Sequence, residues 1–223
     1  MAGTDWAEYA ARAFETKPRR FASPGQLARH CEPQTLQTPA LDMIDRAVVD
    51  VIDGKISKQQ LYAPPQIGKS QRVSRWTPLW ALLCQPSMRI AIVSAEQELA
   101  RRWGRQIRRD LRVNTDLGLQ LQRDSQAAGR WETVDGGELF CTSIAAGTTG
   151  RPIDLLIIDD PIKDRPSAES QTLRERAWEF WENDGGVRAR ATILMNTRWH
   201  ADDLSGRLLE REPGQWSVLS MPA

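Results

Sequence analysis

At 223 residues, with 40% hydrophobic and 26% charged content, the chain is long enough to bury a full core and reads as one domain. A formal net charge of +1 excludes a protein that coats nucleic acid by bulk charge, so DNA contact has to come from local patches. Three widely spaced cysteines, Cys31, Cys84 and Cys141, do not suit a disulfide framework, and neither a basic-then-apolar leader nor an apolar run of about eighteen residues is present. The expectation is a soluble cytoplasmic protein without membrane contact.

Strand and helix signals alternate in the manner of an α/β domain. Short helices are expected at 5–14 and 24–31. His30-Cys31, at the end of the second, lacks the clustered ligands a metal needs. A stronger helix is expected at 41–52, with Leu41, Ile44, Val48 and Val51 on one face. A strand at 61–63 then enters Ala63-Pro64-Pro65-Gln66-Ile67-Gly68-Lys69-Ser70.

This segment reads as a phosphate cradle, in which backbone N–H groups at a helix start face bound phosphate. Lys69 is placed to reach the β/γ-phosphates as a mobile point charge, and the Ser70 hydroxyl to hold Mg²⁺ against them. Ala63 stands where the usual pattern has glycine, and Pro64-Pro65 stiffens the loop. Gly-Lys-Ser alone occurs by chance in many chains, so the assignment rests on the flanking strand and a distant acidic partner.

A helix at 69–83, kinked or split at Pro78, should follow. After a strand at 89–95 comes an amphipathic helix at 96–112. Leu99, Trp103, Ile107 and Leu111 form its buried face, with Arg101, Arg105, Arg108 and Arg112 opposite. That arginine face is a candidate contact for DNA phosphates, with Arg72 and Arg75 as a second small patch; an ordinary solvated face explains the same pattern. Residues 113–130 lack periodicity and read as a loop or a poorly ordered stretch. Strands at 131–134 and 138–144, turning at Gly136-Gly137, suggest a hairpin.

A Gly-Thr-Thr-Gly turn leads into Leu155-Leu156-Ile157-Ile158-Asp159-Asp160, an apolar run ending in acid, as expected of a strand buried on both faces whose tip meets a metal. Asp159 would join the Mg²⁺ shell and Asp160 would orient the attacking water, although Asp-Asp-Pro alone also reads as a turn. A helix within 165–183, capped near Ser167, carries the stripe Leu173, Ala177, Phe180 and Trp181. A strand at 191–197, a helix capped by Asp202 and running to 211, and a strand at 216–219 complete the chain. Trp103, Trp178, Trp181 and Trp199 are assigned to core or interface rather than to base stacking, with no catalytic role.

Taken in order, the cradle, Ile92-Val93-Ser94-Ala95 with Leu99-Ala100, Trp131-Glu132-Thr133 with Gly136-Gly137, Thr149-Gly150-Arg151, Ile157 to Lys163 and Asn196 to Leu204 resemble the N-terminal ATPase domain of large terminase subunits. These are the DNA-packaging motors of tailed bacteriophages. The resemblance implies a RecA-like P-loop ATPase fold, α/β with a mainly parallel sheet flanked by helices, and the strand ending at Thr197 lying between the cradle and acid strands. It implies a single ATPase domain over 1–223, made of a helical extension at 1–35 and a core at 36–223, with the family's C-terminal nuclease domain and its activity absent.

The cofactors implied are ATP and Mg²⁺. The implied function is ATP hydrolysis that drives double-stranded DNA into a procapsid, in the cytoplasm of the infected bacterium. Self-association into a ring, a portal protein and a small terminase subunit are the implied partners. By the same resemblance Pro64, Pro65, Gln66, Ile67, Gly68, Lys69 and Ser70 bind nucleotide, and Asn196 and Thr197 sense the γ-phosphate. Arg151 would reach into the neighbouring subunit's site, and Gln37 is an adenine contact by loose analogy. Two positions depart from the family pattern: Gln66 replaces a frequent arginine, and Asp160 stands where related ATPases often place glutamate, which leaves Glu169 as an alternative water-orienting carboxylate. A helicase-type translocase and a nucleotide-gated assembly module with negligible turnover are the other readings.

Overall fold

The computed structural model describes residues 19–148 and 150–221; the helix expected at 5–14 lies outside them. Eight strands form one sheet: β1 (Lys58–Tyr62), β2 (Arg89–Ser94), β3 (Leu121–Ala127), β4 (Arg130–Thr133), β5 (Glu138–Ser143), β6 (Ile153–Asp159), β7 (Ala189–Asn196) and β8 (Ser217–Ser220). Their order is β3-β4-β5-β2-β6-β7-β1-β8. The six strands from β5 to β8 are parallel, and β3 and β4 add an antiparallel flank. The strand ending beside Thr197 therefore lies between the cradle and acid strands, as the resemblance implies.

Aliphatic runs make the central strands, and their alternate residues feed two cores. Leu61, Ile90, Ile92, Leu155, Ile157, Ile193 and Met195 face one side. There they meet α1 (Pro24–Cys31), α2 (Pro39–Ile52), α3 (Thr77–Cys84) and α4 (Gln97–Val113). Ala91, Val93, Leu156, Ile158 and Leu194 face the other side, under α6 (Gln171–Phe180) and α7 (Leu204–Arg211), with the short α5 (Arg165–Glu169) ahead of α6. The expected α2 stripe of Leu41, Ile44, Val48 and Val51 is buried throughout.

Several expectations are corrected. Pro78 does not split the helix that follows the cradle: the stretch Gln71–Trp76 is π-helical, and the Thr77 N–H bonds the Arg72 carbonyl. That wider register opens the backbone ladder just ahead of the proline. Within 113–130 lies β3, a polar edge strand whose solvent exposure removes the apolar alternation by which strands are recognised. Leu99 and Leu173 are 41% and 37% exposed and so leave their expected buried stripes. The caps of α5 and α6 are Asp164 and Ser170 rather than Ser167. Asp203, not Asp202, caps α7 by accepting the Gly206 N–H at 2.8 Å.

Arg72 and Arg75 form no surface patch. Arg72 pairs with Asp45 at 2.5 Å, and Arg75 makes a bidentate contact with Asp110 at 2.7 and 2.8 Å and also binds Glu32. Buried, these two guanidiniums tie the segment after the cradle to α1, α2 and α4. Among the described residues no helix is long and apolar enough to cross a membrane.

Candidate functional site

The carboxyl ends of β1, β2, β6 and β7 come into register at one edge of the sheet, with Ser94 beside Asp159 and Tyr62 beside Asn196. Ligands of open parallel sheets bind at such an edge. Past β1, the loop bends through positive φ at Gln66 (66°) and Gly68 (88°). Glycine takes the second of these without a Cβ penalty, and such turns aim successive N–H groups into one concavity. Lys69 and Ser70 then open the helix.

The Lys69 ammonium folds back over the loop, donating to the Ala63 carbonyl at 3.2 Å and to Thr197 Oγ1 at 2.7 Å. Ser70 Oγ donates to Asp159 Oδ1 at 3.2 Å. At the tip of β6 the chain turns sharply at Asp160, whose φ is 47°. The Asp160 carboxylate accepts the Thr197 N–H at 3.0 Å, so Lys69 and Asp160 meet the same residue. These groups line a cleft of about 680 Å³ that Gln66 and Gly68 border on the cradle side.

Asp159 is buried, and its carboxyl is pushed up to about 6 by desolvation and then by the charge of Asp160. Hydrogen bonds from Ser74 and Ser70 and the Lys69 charge act in the other direction without restoring the ordinary value. A buried carboxylate beside a second acid and a serine hydroxyl is a hard oxygen donor set short of positive charge, and it suits Mg²⁺.

Not every expected residue reaches this cleft. The Asn196 side chain is buried under α7, accepting from Ser205 Oγ at 2.9 Å and donating to Asp203 at 3.4 Å. Arg151 precedes β6, at the opposite end of that strand from Asp159, and pairs with Glu138 at 2.8 Å. Glu169 is exposed on α5 and is not among the residues lining the cleft. The Gln37 amide is taken up by Arg72, Asp42 and Asp45. On α4, Arg101, Arg105 and Arg112 are exposed and Arg108 is half-buried; Arg105 pairs with Glu98.

The cleft also holds residues to which the sequence assigned no chemistry. Arg102 and Trp103 of α4, Lys163 and Trp199 form its other wall. Trp199 is 42% exposed and so is not a core residue. The Trp103 indole N–H donates to Asp159 Oδ2 at 3.0 Å. An apolar stripe gives no sign of where an indole nitrogen points.

The cradle on β1, the acid-tipped β6 and the intervening β7 define a RecA-like P-loop ATPase fold. The family description "Terminase large subunit, T4likevirus-type, N-terminal" matches residues 60–218. The chain belongs to this terminase large subunit family. Among solved structures, the large terminase of bacteriophage HK97 superposes with a TM-score of 0.57 at 13% identity, covering 91% of this chain and 42% of that one. An arginine-to-alanine mutant of the Thermus phage P74-26 large terminase ATPase domain gives 0.51 at 15% identity, covering 78% and 70%. The likeness is one of fold, and the chain spans less than half of the HK97 protein. No curated protein sequence matches the chain.

Proposed function

We propose that this chain is the ATP-hydrolysing motor domain of a DNA-packaging terminase. The observation that carries the reading is the convergence, at one sheet edge, of Lys69 on Thr197 and of Ser70 on Asp159. The cradle N–H groups bind the phosphates, and Lys69 exchanges the Thr197 hydroxyl and the Ala63 carbonyl for the γ-phosphate. Ser70 and Asp159 would hold Mg²⁺, which would supply positive charge against bound phosphate. Asp160 orients the attacking water, and its bond to the Thr197 N–H links that acid to the end of β7. On the other side of the cradle, a cavity of about 630 Å³ bordered by Leu36, Pro39, Leu41, Ile67 and Trp76 suits the base.

Arg151 lies at the far end of β6 from Asp159 and does not line the cleft, so a role for it in hydrolysis would be in a neighbouring copy, as in a ring around double-stranded DNA. DNA phosphates would be met by the arginine face of α4. Portal and small-subunit partners, and action in the host cytoplasm, follow from the family. Phosphate release from Mg-ATP, abolished by Lys69→Ala and by Asp160→Asn but kept by Glu169→Gln, is the expected result. Loss with Glu169→Gln and retention with Asp160→Asn would reassign the water-orienting acid. Stoichiometric nucleotide binding with no release would replace the motor by a nucleotide-gated assembly module.

A further inference from the structure

We infer that Trp103 is a positioning residue that fixes the metal-facing geometry of Asp159; the inference rests on the nucleotide site proposed above. Three donors from two helical segments, the one that follows the cradle and α4, meet this one carboxylate. Ser70 Oγ takes Oδ1, whereas Ser74 Oγ at 2.7 Å and Trp103 Nε1 at 3.0 Å both take Oδ2. A carboxylate oxygen has about two good acceptor directions, so Oδ2 is filled by protein and turned away from the cleft's chemistry. Oδ1, shared only with the serine of the cradle, is the atom left for a cation's ligand shell.

Among the three donors, Trp103 has a distinct part. Serine hydroxyls rotate, and each can also accept, so neither alone sets the carboxylate's angle. An indole N–H only donates, and its ring is held: Trp103 is 7% exposed and packs in the core with Ala100, Ile107 and Leu111. The Arg102 guanidinium lies 5.3 Å from the same ring. Trp103 thus acts as the partner that orients a ligand from behind, the arrangement in which loss of the partner weakens metal binding by about 10- to 100-fold. It also links α4 mechanically to the tip of β6, since a shift of that helix would move the bond on Asp159.

The test uses Trp103→Phe, which keeps a ring and removes the N–H, beside Ser74→Ala, which removes the other donor to Oδ2. Affinity for a fluorescent nucleotide is measured in EDTA, and hydrolysis is followed against Mg²⁺ concentration. The expected result is nucleotide affinity in EDTA within about two-fold of wild type and a half-maximal Mg²⁺ concentration raised about ten-fold or more. Ser74→Ala should shift the same way. Tryptophan emission of the wild type in the presence of ADP should change on adding Mg²⁺, and this change should shrink in Trp103→Phe, which keeps Trp199 in the cleft wall. That readout is available from the wild type alone if the variant does not fold, and an unresponsive wild-type emission would then overturn the inference. Unchanged Mg²⁺ dependence in a folded Trp103→Phe, with wild-type hydrolysis that Lys69→Ala abolishes, would overturn this inference alone. A wild type that neither binds nor hydrolyses nucleotide would remove the site proposed above and this role with it.

Discussion

Lys69 and Thr197, 128 residues apart, meet at the cleft with the lysine Nζ 2.7 Å from the threonine Oγ1. One is the cation of the cradle and the other follows the last residue of β7, so a single hydrogen bond joins the phosphate loop to the strand beside the acid strand. Hydrogen bonds to charged groups contribute about 1.5–3 kcal/mol. Thr197→Val keeps the shape and removes the hydroxyl. Because bound nucleotide replaces this bond, the variant should bind Mg-ATP more tightly, by about ten-fold. Equal affinity in the two proteins would show that Lys69 does not leave the hydroxyl on binding.

The side chains of the Arg72–Asp45 pair are 2% and 7% exposed, so each charge depends on the other inside the protein. Arg72→Met strands the Asp45 carboxylate, and breaking a buried pair from one side costs about 3–5 kcal/mol. Chemical denaturation should report a loss of that size. A loss below about 1 kcal/mol would mean that water reaches Asp45.

Gly104 marks the close approach of α4 to the sheet. A Cβ there would lie 2.7 Å from the Ala128 carbonyl oxygen and 2.9 Å from Cys141 Sγ. Its own carbonyl accepts the Trp131 indole N–H at 3.1 Å. Helix propensity favours Gly104→Ala by about 1 kcal/mol, but overpacking costs about 1–3 kcal/mol. The variant should melt a few degrees below wild type. A rise in Tm would show that α4 can back away from β5.

Asp202 carries a pH-dependent term. Hydrogen bonds from Arg207 and then Arg174 hold its carboxyl well below the ordinary 3.8. A depressed folded-state value gives stability that is present above 3.8 and is lost as pH falls below it. Asp202→Asn should therefore lower Tm at pH 7, with the gap to wild type closing in acid below the ordinary value. Its side chain is 46% exposed, so the effect should be modest and should shrink with added salt.

Doubly buried strands were legible because an unbroken aliphatic run such as Leu155 to Ile158 has few alternatives. The loop after β1 was legible because Gly68, Lys69 and Ser70 stand side by side between a strand and a helix start, where the structure places the turn. β3 was not, since an edge strand open to solvent needs no apolar alternation. Arg72 and Arg75 resembled a surface patch because their partners Asp45 and Asp110 lie 27 and 35 residues away along the chain. Asp202 and Asp203 both form ion pairs, and geometry alone makes Asp203 the helix cap as well. Trp103 was read as core, which its ring is, while its N–H does something that the spacing of apolar residues cannot encode.

The most direct test of the ATPase motor assignment is the specific rate of phosphate release from Mg-ATP, measured against protein concentration with Lys69→Ala as the blank. The account predicts release well above the blank, with a rate per subunit that rises with concentration as Arg151 of one copy completes the site of the next. Release no greater than that of Lys69→Ala at every concentration would contradict it.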